Sequence, residues 1–194
     1  MKLAAILLAA GASRRYGSPK QLARLDGVSL VRRAALAILE TGAELLVVSG
    51  AHAEAVAGEL AGLPLRVVAN AAWAEGMGSS IGCGFRELLR QPHPAPAALL
   101  CLVDQPLVGA AELQSLIVAH EAAPGRIVVS DHGEAHGPPC LFLAEFYPEL
   151  AALRGPDGAR AVLDAHPERI AVVALPQAAT DIDTPQDWQR LNRS

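Results

Sequence analysis

The sequence predicts an α/β protein, built as a three-layer α/β/α sandwich around a mostly parallel, Rossmann-like sheet. Short apolar runs alternate with amphipathic segments over most of the 194 residues, as in chains whose strands are joined by helices. The first run, residues 3–8, is apolar throughout, which is typical of a strand covered on both faces. With 52% hydrophobic and 19% charged residues, we expect one domain spanning residues 1–194.

The individual elements follow from apolar runs, caps and turn residues. Strands are predicted at residues 3–8, 45–49, 65–69, 97–103, 127–130, 141–143 and 169–174. Helices are predicted at residues 29–41, 50–60, 80–90, 110–121, 145–153 and 158–165, with a closing helix whose first turn contains Pro185. Ser29 is a suitable N-cap and Gly42 a suitable stop for the first helix. The turn-rich segment 131–139 predicts a late hairpin that adds an antiparallel strand.

Composition narrows the possible partners. A net charge of −4 argues against a nucleic-acid-binding protein, since such proteins usually present a basic face. Cys83, Cys101 and Cys140 form no CxxC pair and are odd in number, so we expect buried free thiols. No apolar run is long enough to span a membrane, and the first one leads into a loop without a processing site. We therefore expect a cytoplasmic protein with no membrane partner.

The first strand is followed by a glycine-containing basic loop, LAAGASRRYGSPK at residues 8–20. Glycine allows the backbone to approach a ligand closely, and free N–H groups together with Arg15 and Lys20 suit a polyphosphate. The sequence of this loop matches neither the Walker pattern GxxxxGK[ST] nor the dinucleotide-binding pattern GxGxxG, so both of these sites are disfavoured. The loop is predicted to bind the triphosphate of a nucleotide, and Arg14 is expected to be a solvated or structural charge.

Carboxylates follow the strands at 97–103 and 169–174. Asp104 directly follows an apolar strand and is expected at the sheet edge where open α/β folds bind ligands. Magnesium prefers one or two carboxylates plus phosphate oxygens, so we assign Mg²⁺ to Asp104 and Asp181. Asp183 remains an alternative second ligand, and both C-terminal aspartates are also candidates for capping the closing helix.

Two further segments carry polar residues near predicted strand ends. Gly76, Ser79 and Ser80 precede or begin a helix, where N–H groups and the helix dipole favour an anion; an ordinary capped helix start is the alternative. His132 and His136 lie four residues apart in a turn-rich segment without a suitably spaced cysteine. Substrate contact or plain exposure is therefore favoured over a zinc site.

Five ordered motifs resemble those of the molybdenum cofactor cytidylyltransferases and related nucleotidyltransferases. They are LAAGASRRYGSPK, NAAWAEGMGSS, LVDQP, HGPPCLF and DIDTP, spread over nearly the whole chain. The resemblance implies a nucleotide-diphospho-sugar transferase-like fold and magnesium-dependent transfer of CMP from CTP to the phosphate of a molybdopterin-type cofactor. CTP is favoured over GTP because Ala10 stands where guanylyl members usually have glycine. One departure is Pro156, which occupies the acidic position of a GDxGAR pattern.

The resemblance also assigns roles to residues. Arg15, Lys20 and Asp104 are the implied catalytic groups. Nucleotide binding is assigned to Leu8, Ala9, Ala10, Gly11, Ser13, Arg15, Lys20, Gly76, Ser79 and Ser80. The pterin acceptor is assigned to His136, Gly137 and Pro139. A molybdoenzyme that receives the product is a further possible partner.

Three other functions fit the same residues. A guanylyltransferase and a sugar- or polyol-phosphate nucleotidyltransferase share the fold and differ in the substrates they use. A non-catalytic chaperone of the molybdenum cofactor belongs to another class, and it would not need Arg15, Lys20 and Asp104 together. The nucleotide and the acceptor that support turnover distinguish these alternatives.

Overall fold

A mixed β-sheet forms the centre of the computed structural model, which describes residues 2–133 and 135–191. Over this part of the chain, seven strands form the sheet in the order β5-β4-β1-β6-β8-β7-β9. These strands are β1 (Ala4–Ala9), β4 (Glu44–Ser49), β5 (Arg66–Ala69), β6 (Ala97–Leu102), β7 (Ile127–Asp131), β8 (His136–Leu143) and β9 (Ile170–Ala174). Two short strands, β2 (Arg24–Leu25) and β3 (Val28–Ser29), pair separately as an antiparallel ribbon. The predicted fold class is confirmed.

Strand β8 is antiparallel to both of its neighbours, β6 and β7. The other pairs of the sheet, β1 with β4 and β6, β4 with β5, and β7 with β9, are parallel. The late hairpin is therefore confirmed, but its second strand lies inside the sheet and not at an edge. Because β8 alone is reversed in this sheet, its first residues lie at the edge where the parallel strands end. This places His136 and Gly137 on the same edge as the glycine loop that follows β1.

Helices cover both faces of the sheet. They are α1 (Leu30–Glu40), α2 (Ala53–Glu59), α3 (Met77–Leu89), α4 (Ala110–Ala122), α5 (Tyr147–Ala152), α6 (Arg160–Ala165) and α7 (Pro185–Leu191). One buried cluster packs α1 and α4 against β1 through Leu7, and the other packs α3 and α5 against the opposite face through Ile6. Successive residues of a strand face opposite sides, so an uninterrupted apolar strand serves both layers. Among the described residues, no helix is long and apolar enough to cross a membrane.

Several local features differ from the sequence predictions, among them strand β8, which begins at His136, five residues before its predicted start. Residues Lys20–Leu22 form a 3-10 turn and the β2–β3 ribbon follows, where only a connection was expected. Helix α3 begins at Met77, three residues before the predicted start, because Gly76 adopts φ of 127° and ends the preceding turn there. Cys101 and Cys140 are buried free thiols as expected, whereas Cys83 is partly exposed.

Helix α3 lies unusually close to its neighbours because glycines occupy its contact faces. A Cβ on Gly82 would lie 2.6 Å from the carbonyl oxygen of Leu153, and one on Gly78 would lie 2.5 Å from the carbonyl oxygens of Arg154 and Asp157. On the opposite side, a Cβ on Gly84 would lie 2.8 Å from Ile6 Cγ2. The glycines thus let the N-terminal half of α3 lie close to both the sheet and segment 153–157.

Two matched glycine substitutions test this packing. Gly82→Ala places a methyl against backbone that cannot move aside easily, so it should destabilise the protein by about 1–3 kcal/mol. Gly58→Ala in α2 meets nothing within 4 Å, so improved helix propensity should stabilise it by about 0.5–1 kcal/mol. Urea denaturation of both variants measures the difference. Equal effects would contradict the close approach of α3.

Candidate active site

A cavity of about 390 Å³ opens where β1 and β6 end. Its walls come from the glycine loop at residues 10–15, the first turn of α3, and the segment 102–104. Lys20, Asp104 and Asp183 bring charged groups to it. The carboxyl-end edge of an open α/β sheet is the usual place for a ligand, and this volume suits a nucleotide-sized molecule.

The glycine loop presents unpaired backbone donors to this cavity. Over the described chain, the N–H groups of residues 11–15 donate no hydrogen bond, whereas the N–H groups of Tyr16 and Gly17 donate to the Ser13 carbonyl. Ser13 has φ of 53°, an uncommon conformation for a residue other than glycine, and it turns the loop sharply. Successive free N–H groups form a concave site for an anion.

Gln21 holds the loop in this shape and was not recognised from the sequence. Its side chain is 1% exposed, and its Nε2 donates to the carbonyl oxygens of Ala9 at 3.2 Å and Gly11 at 2.6 Å. The Ser13 hydroxyl donates to Gln21 Oε1 and accepts from the Lys20 N–H, both at 3.2 Å. Gln21 therefore fixes backbone carbonyls on the inner side of the loop, and this leaves the cavity side to N–H groups.

Lys20 is the centre of a charge cluster that joins three distant segments. Its Nζ lies 2.6 Å from Asp104 Oδ2 and 3.0 Å from Asp183 Oδ1. The Lys20 side chain is 13% exposed and that of Asp104 19%, so solvent screens this pair only weakly. Burial lowers the pKa of Lys20, but the charges and hydrogen bonds of Asp104 and Asp183 raise that pKa further, so it lies above its ordinary value. The lysine therefore remains a cation.

Two arginines stand at the mouth of the cavity. Arg15 Nη2 donates to Asp183 Oδ2 at 2.9 Å, while the arginine side chain is 74% exposed. Arg14 also lines the cavity and is exposed. Because an exposed ion pair contributes little to stability, Arg15 can exchange Asp183 for a phosphate at low energetic cost.

The carboxylates fit a divalent cation that is also bound by the nucleotide. Asp104 Oδ1 is buried and has no hydrogen-bond partner, so a strong acceptor atom is available inside the site. Within residues 2–133 and 135–191, no group of three or more histidine, cysteine or acidic side chains is placed to hold a metal ion. Phosphate oxygens and water would complete the coordination, as Mg²⁺ prefers.

Asp181 and Asp183 occupy different positions around this cluster. Partial burial of its carboxyl group and then the charges of Asp104 and Asp183 raise the pKa of Asp181 to about 6, although the residue as a whole is exposed. Asp183 points toward Lys20 and Arg15, and the N-terminus of α7 is capped by Thr184, whose hydroxyl accepts from the Asp187 N–H at 3.3 Å. Thr184, and not Asp183, is therefore the capping residue.

The first turn of α3 is held by a buried asparagine. Asn70 Nδ2 donates to the hydroxyls of Ser79 at 2.9 Å and Ser80 at 3.1 Å. Ser79 in turn donates to the carbonyl oxygens of Ala72 and Gly76 and does not line the cavity, whereas Gly76 and Ser80 do. The two serines thus fix the end of the helix, and Ser80 also contributes to the wall.

A second, smaller cavity of about 110 Å³ adjoins the first near the start of β8. His136, Gly137 and Pro138 line it. Pro139 lies elsewhere, with its carbonyl accepting from the Ser130 hydroxyl at 2.6 Å. Gln105, which is 5% exposed, fixes this loop by donating to the Pro138 carbonyl at 2.9 Å and to the Ala178 carbonyl at 2.9 Å.

The structure brings most sequence-assigned nucleotide residues to the larger cavity, including Leu8, Ala10, Gly11, Ser13, Arg15 and Lys20. Ala9 faces the opposite layer. The additional residues are Gln21, Asn70 and Gln105, each a buried amide that binds backbone or hydroxyl groups. A polar residue close to a glycine loop is a weak signal for such a role, because its partners are visible only in three dimensions.

A nucleotide-sized cavity at the end of β1, with an anion-binding loop and a lysine between two carboxylates, is the arrangement of a nucleotidyltransferase. The chain belongs to the MobA-like NTP transferase domain family, whose model matches residues 5–170. Members of this family bind nucleoside triphosphates.

Two relatives match almost the full length of the chain. The nicotine blue oxidoreductase of Paenarthrobacter nicotinovorans is 34% identical over 96% of this chain and 94% of its own. The purine catabolism protein PucB of Bacillus subtilis is 28% identical over 99% of this chain and 97% of its own. The family thus includes proteins named for different metabolic roles.

A solved structure shows the same fold. Rv0371c of Mycobacterium tuberculosis is 27% identical and superposes with a TM-score of 0.83, covering 100% of this chain and 99% of its own. A crystal structure of Rv0371c in complex with manganese has a TM-score of 0.79 at 26% identity and covers 100% of both chains.

Replacing Gln21 tests its control of the glycine loop. Gln21→Ala leaves the Ala9 and Gly11 carbonyls without their buried donor, which should cost about 1–3 kcal/mol of stability and weaken nucleotide binding. Gln114→Ala, at an exposed position of α4, is the matched control. Urea denaturation and calorimetric titration with CTP measure both effects. Unchanged stability and affinity would show that the loop holds its shape without Gln21.

Proposed function

We propose that this protein transfers CMP from CTP to the phosphate of a molybdopterin-type molybdenum cofactor and releases pyrophosphate. The observation that carries the proposal is the position of Lys20 between Asp104 and Asp183, next to an unpaired buried oxygen of Asp104. Two carboxylates and a lysine gathered in one cavity suit a reaction in which both substrates are anionic. The five sequence motifs supply the preference for CTP and for a pterin acceptor.

In the proposed reaction an oxygen of the acceptor phosphate attacks the α-phosphorus of CTP. A new P–O bond forms there while the bond to the bridging oxygen of pyrophosphate breaks. The protein needs no nucleophile of its own, because alignment and charge neutralisation lower the barrier. The N–H groups of residues 11–15 hold the phosphates, and Lys20 and Arg15 neutralise the charge that develops on the leaving pyrophosphate.

A divalent cation, proposed to be Mg²⁺, would be held by Asp104 and a second carboxylate. Asp183 is favoured for that second position because it shares Lys20 with Asp104, and Asp181 is the alternative. When bound, the cation polarises phosphate oxygens and neutralises their charge. The manganese complex of Rv0371c supports a divalent cation in a related protein. Lys20 would then exchange its carboxylate partners for phosphate oxygens.

Selection of the base is proposed to depend on Ala10. This residue lines the larger cavity. Gly50 packs closely against it: if Gly50 carried a Cβ, that atom would lie only 2.9 Å from Ala10 Cβ. The alanine methyl therefore has no room to move away from a bound base. A pyrimidine fits beside it with less crowding than a purine.

The proposed acceptor is a phosphorylated pterin held near His136 and Gly137, with Pro139 supporting that loop from behind. A molybdoenzyme would receive the product. The cytoplasmic location and the single domain expected from the sequence remain predictions.

A second candidate is an oxidoreductase. It is favoured by the name of the relative with 34% identity. Oxidation of NADH or NADPH in the presence of a heterocyclic dye tests it separately from transfer. Turnover of NAD(P)H without pyrophosphate release from any triphosphate would replace the proposed function. Binding of the molybdenum cofactor without either transfer or oxidation of NAD(P)H would favour a chaperone.

Pyrophosphate release tests the nucleotide and acceptor together. With Mg²⁺ and the molybdenum cofactor, CTP should support turnover with kcat/KM about tenfold or more above that of GTP, ATP or UTP. Ala10→Gly removes a methyl from the cavity wall and should narrow the CTP-to-GTP ratio by about tenfold. Robust turnover with GTP alone would indicate a guanylyltransferase. Turnover only with a sugar or polyol phosphate would change the acceptor class.

Asp104→Asn tests the proposed cation ligand. Asparagine keeps the shape but loses the charge that binds the cation and Lys20, so the transfer rate should fall on the order of a hundredfold or more. Binding of the molybdenum cofactor, measured by fluorescence, should be largely retained. Asp26→Asn makes the same chemical change in the exposed β2–β3 turn and should not alter the rate. An unaffected rate in Asp104→Asn would remove Asp104 from the proposed cation site.

A further inference from the structure

An aromatic ring forms part of the wall of the larger cavity. It belongs to Trp73, the first residue of a 3-10 turn at Trp73–Glu75. The residue is half-buried and packs against the core cluster on the α3 face of the sheet. Among the described residues that line this cavity, Trp73 is the only aromatic one. An indole with the core on one side and a cavity on the other can offer its surface to a ligand ring.

The order of the strands separates Trp73 from the charged groups of the cavity. Trp73 follows β5, whereas Asp104 follows β6, and β4 and β6 flank β1 on opposite sides. In the described chain, the segments that follow β4 and β5 bring no charged residue to the cavity wall. The charged residues that line it come from the glycine loop, from Lys20 and from the segments after β6 and β9: Arg14, Arg15, Lys20, Asp104 and Asp183. A triphosphate held by these charges directs its base toward Trp73.

Trp73 and Ala10 are held side by side through Gly50. The Ala51 N–H donates to the Ala10 carbonyl at 3.1 Å, which fixes the loop after β4 to the end of β1. A Cβ on Gly50 would lie 2.7 Å from Trp73 Cβ and 2.9 Å from Ala10 Cβ, so only glycine allows this close approach. Both residues line the cavity. A base beside Ala10 therefore also lies beside the indole.

The backbone that carries the indole is fixed by hydrogen bonds. The Trp73 N–H donates to the Asn70 carbonyl at 3.2 Å, and the Ala72 carbonyl accepts from the Ser79 hydroxyl at 2.8 Å. The Ala72 N–H donates to Asn70 Oδ1 at 3.0 Å, and Asn70 itself is buried. Because both polar groups of the peptide between Ala72 and Trp73 are bonded, little ordering of this segment is needed when a ligand binds.

We infer that the indole of Trp73 is the surface on which the base of the nucleotide stacks. The inference rests on the proposed function, because it concerns the same nucleotide in the same cavity. Every base has a π-face, so stacking adds affinity without choosing among the bases. Trp73 thus supplies affinity and Ala10 supplies selectivity, and the two contributions are separable.

Tryptophan emission tests the contact without requiring turnover. Trp188→Phe, in α7, leaves Trp73 as the single tryptophan of the chain. CTP should quench the emission of this variant, because the base stacks on the indole. Tripolyphosphate, which has the phosphates and no base, should bind and leave the emission nearly unchanged. In the mirror variant Trp73→Phe, which retains Trp188, CTP should change the emission much less.

Affinities measured by calorimetric titration separate stacking from a purely structural role. Trp73→Ala should weaken the binding of CTP and of GTP by a similar factor, about tenfold or more, while the affinity for tripolyphosphate stays unchanged. Trp73→Phe keeps an aromatic surface, so its affinity for CTP should lie within about threefold of that of the wild type.

Three results would overturn the inference: CTP binding to Trp188→Phe without quenching, equal losses of CTP and tripolyphosphate affinity in Trp73→Ala, or CTP affinity in Trp73→Phe as low as in Trp73→Ala. The first and the third do not depend on the stability of the alanine variant. Failure of the wild type to bind any triphosphate would refute both the inference and the proposed function. Quenching of Trp73 by CTP without pyrophosphate release would refute the proposed function alone.

Discussion

The ion cluster around Lys20 is the interaction on which the arrangement of the candidate site depends. It joins the loop after β1 to the residue after β6 and to the segment before α7, across 84 and 163 positions of sequence. Without the lysine, Asp104 and Asp183 would place two negative charges beside each other with little solvent to screen them. The two carboxylates therefore form an acidic site that a cation neutralises, whether that cation is the ammonium group of Lys20 or a metal ion.

Neutral side chains provide the rigidity that the charged ones lack. Gln21 binds the inner carbonyls of the glycine loop, and Gln105 joins the Pro138 loop to the segment at Ala178. Because an amide carries no charge, phosphate groups do not compete for it as they do for an ion pair. Gln21 and Gln105 therefore keep their hydrogen-bond partners when a nucleotide binds. Arg15, by contrast, is exposed, and its ion pair within the described residues is with Asp183. The site thus combines fixed backbone with exchangeable cations.

The strands, the glycine loop and Asp104 could be predicted because each leaves a local pattern: a continuous apolar run, followed by small or charged residues at its end. The role of Asp183 could not, since DIDTP reads equally well as a helix cap, and only the structure shows Thr184 in that position. Ser79 illustrates the same limit, because its partners Ala72 and Gly76 decide that it fixes a turn. The insertion of β8 between β6 and β7 depends on pairing between segments far apart in sequence.

That insertion also has a consequence for the order of assembly. Strands β5, β4, β1 and β6 come from residues 4–102 and form one parallel block, whereas β7 and β9 come from residues 127–174. Among the described strands of this sheet, β8 is the one that pairs with both blocks. Lys20 and Asp104 belong to the first block, while Asp183 follows the second. Because Asp183 lies 163 positions after Lys20, the charge cluster is complete only when the segment before α7 has docked against the glycine loop.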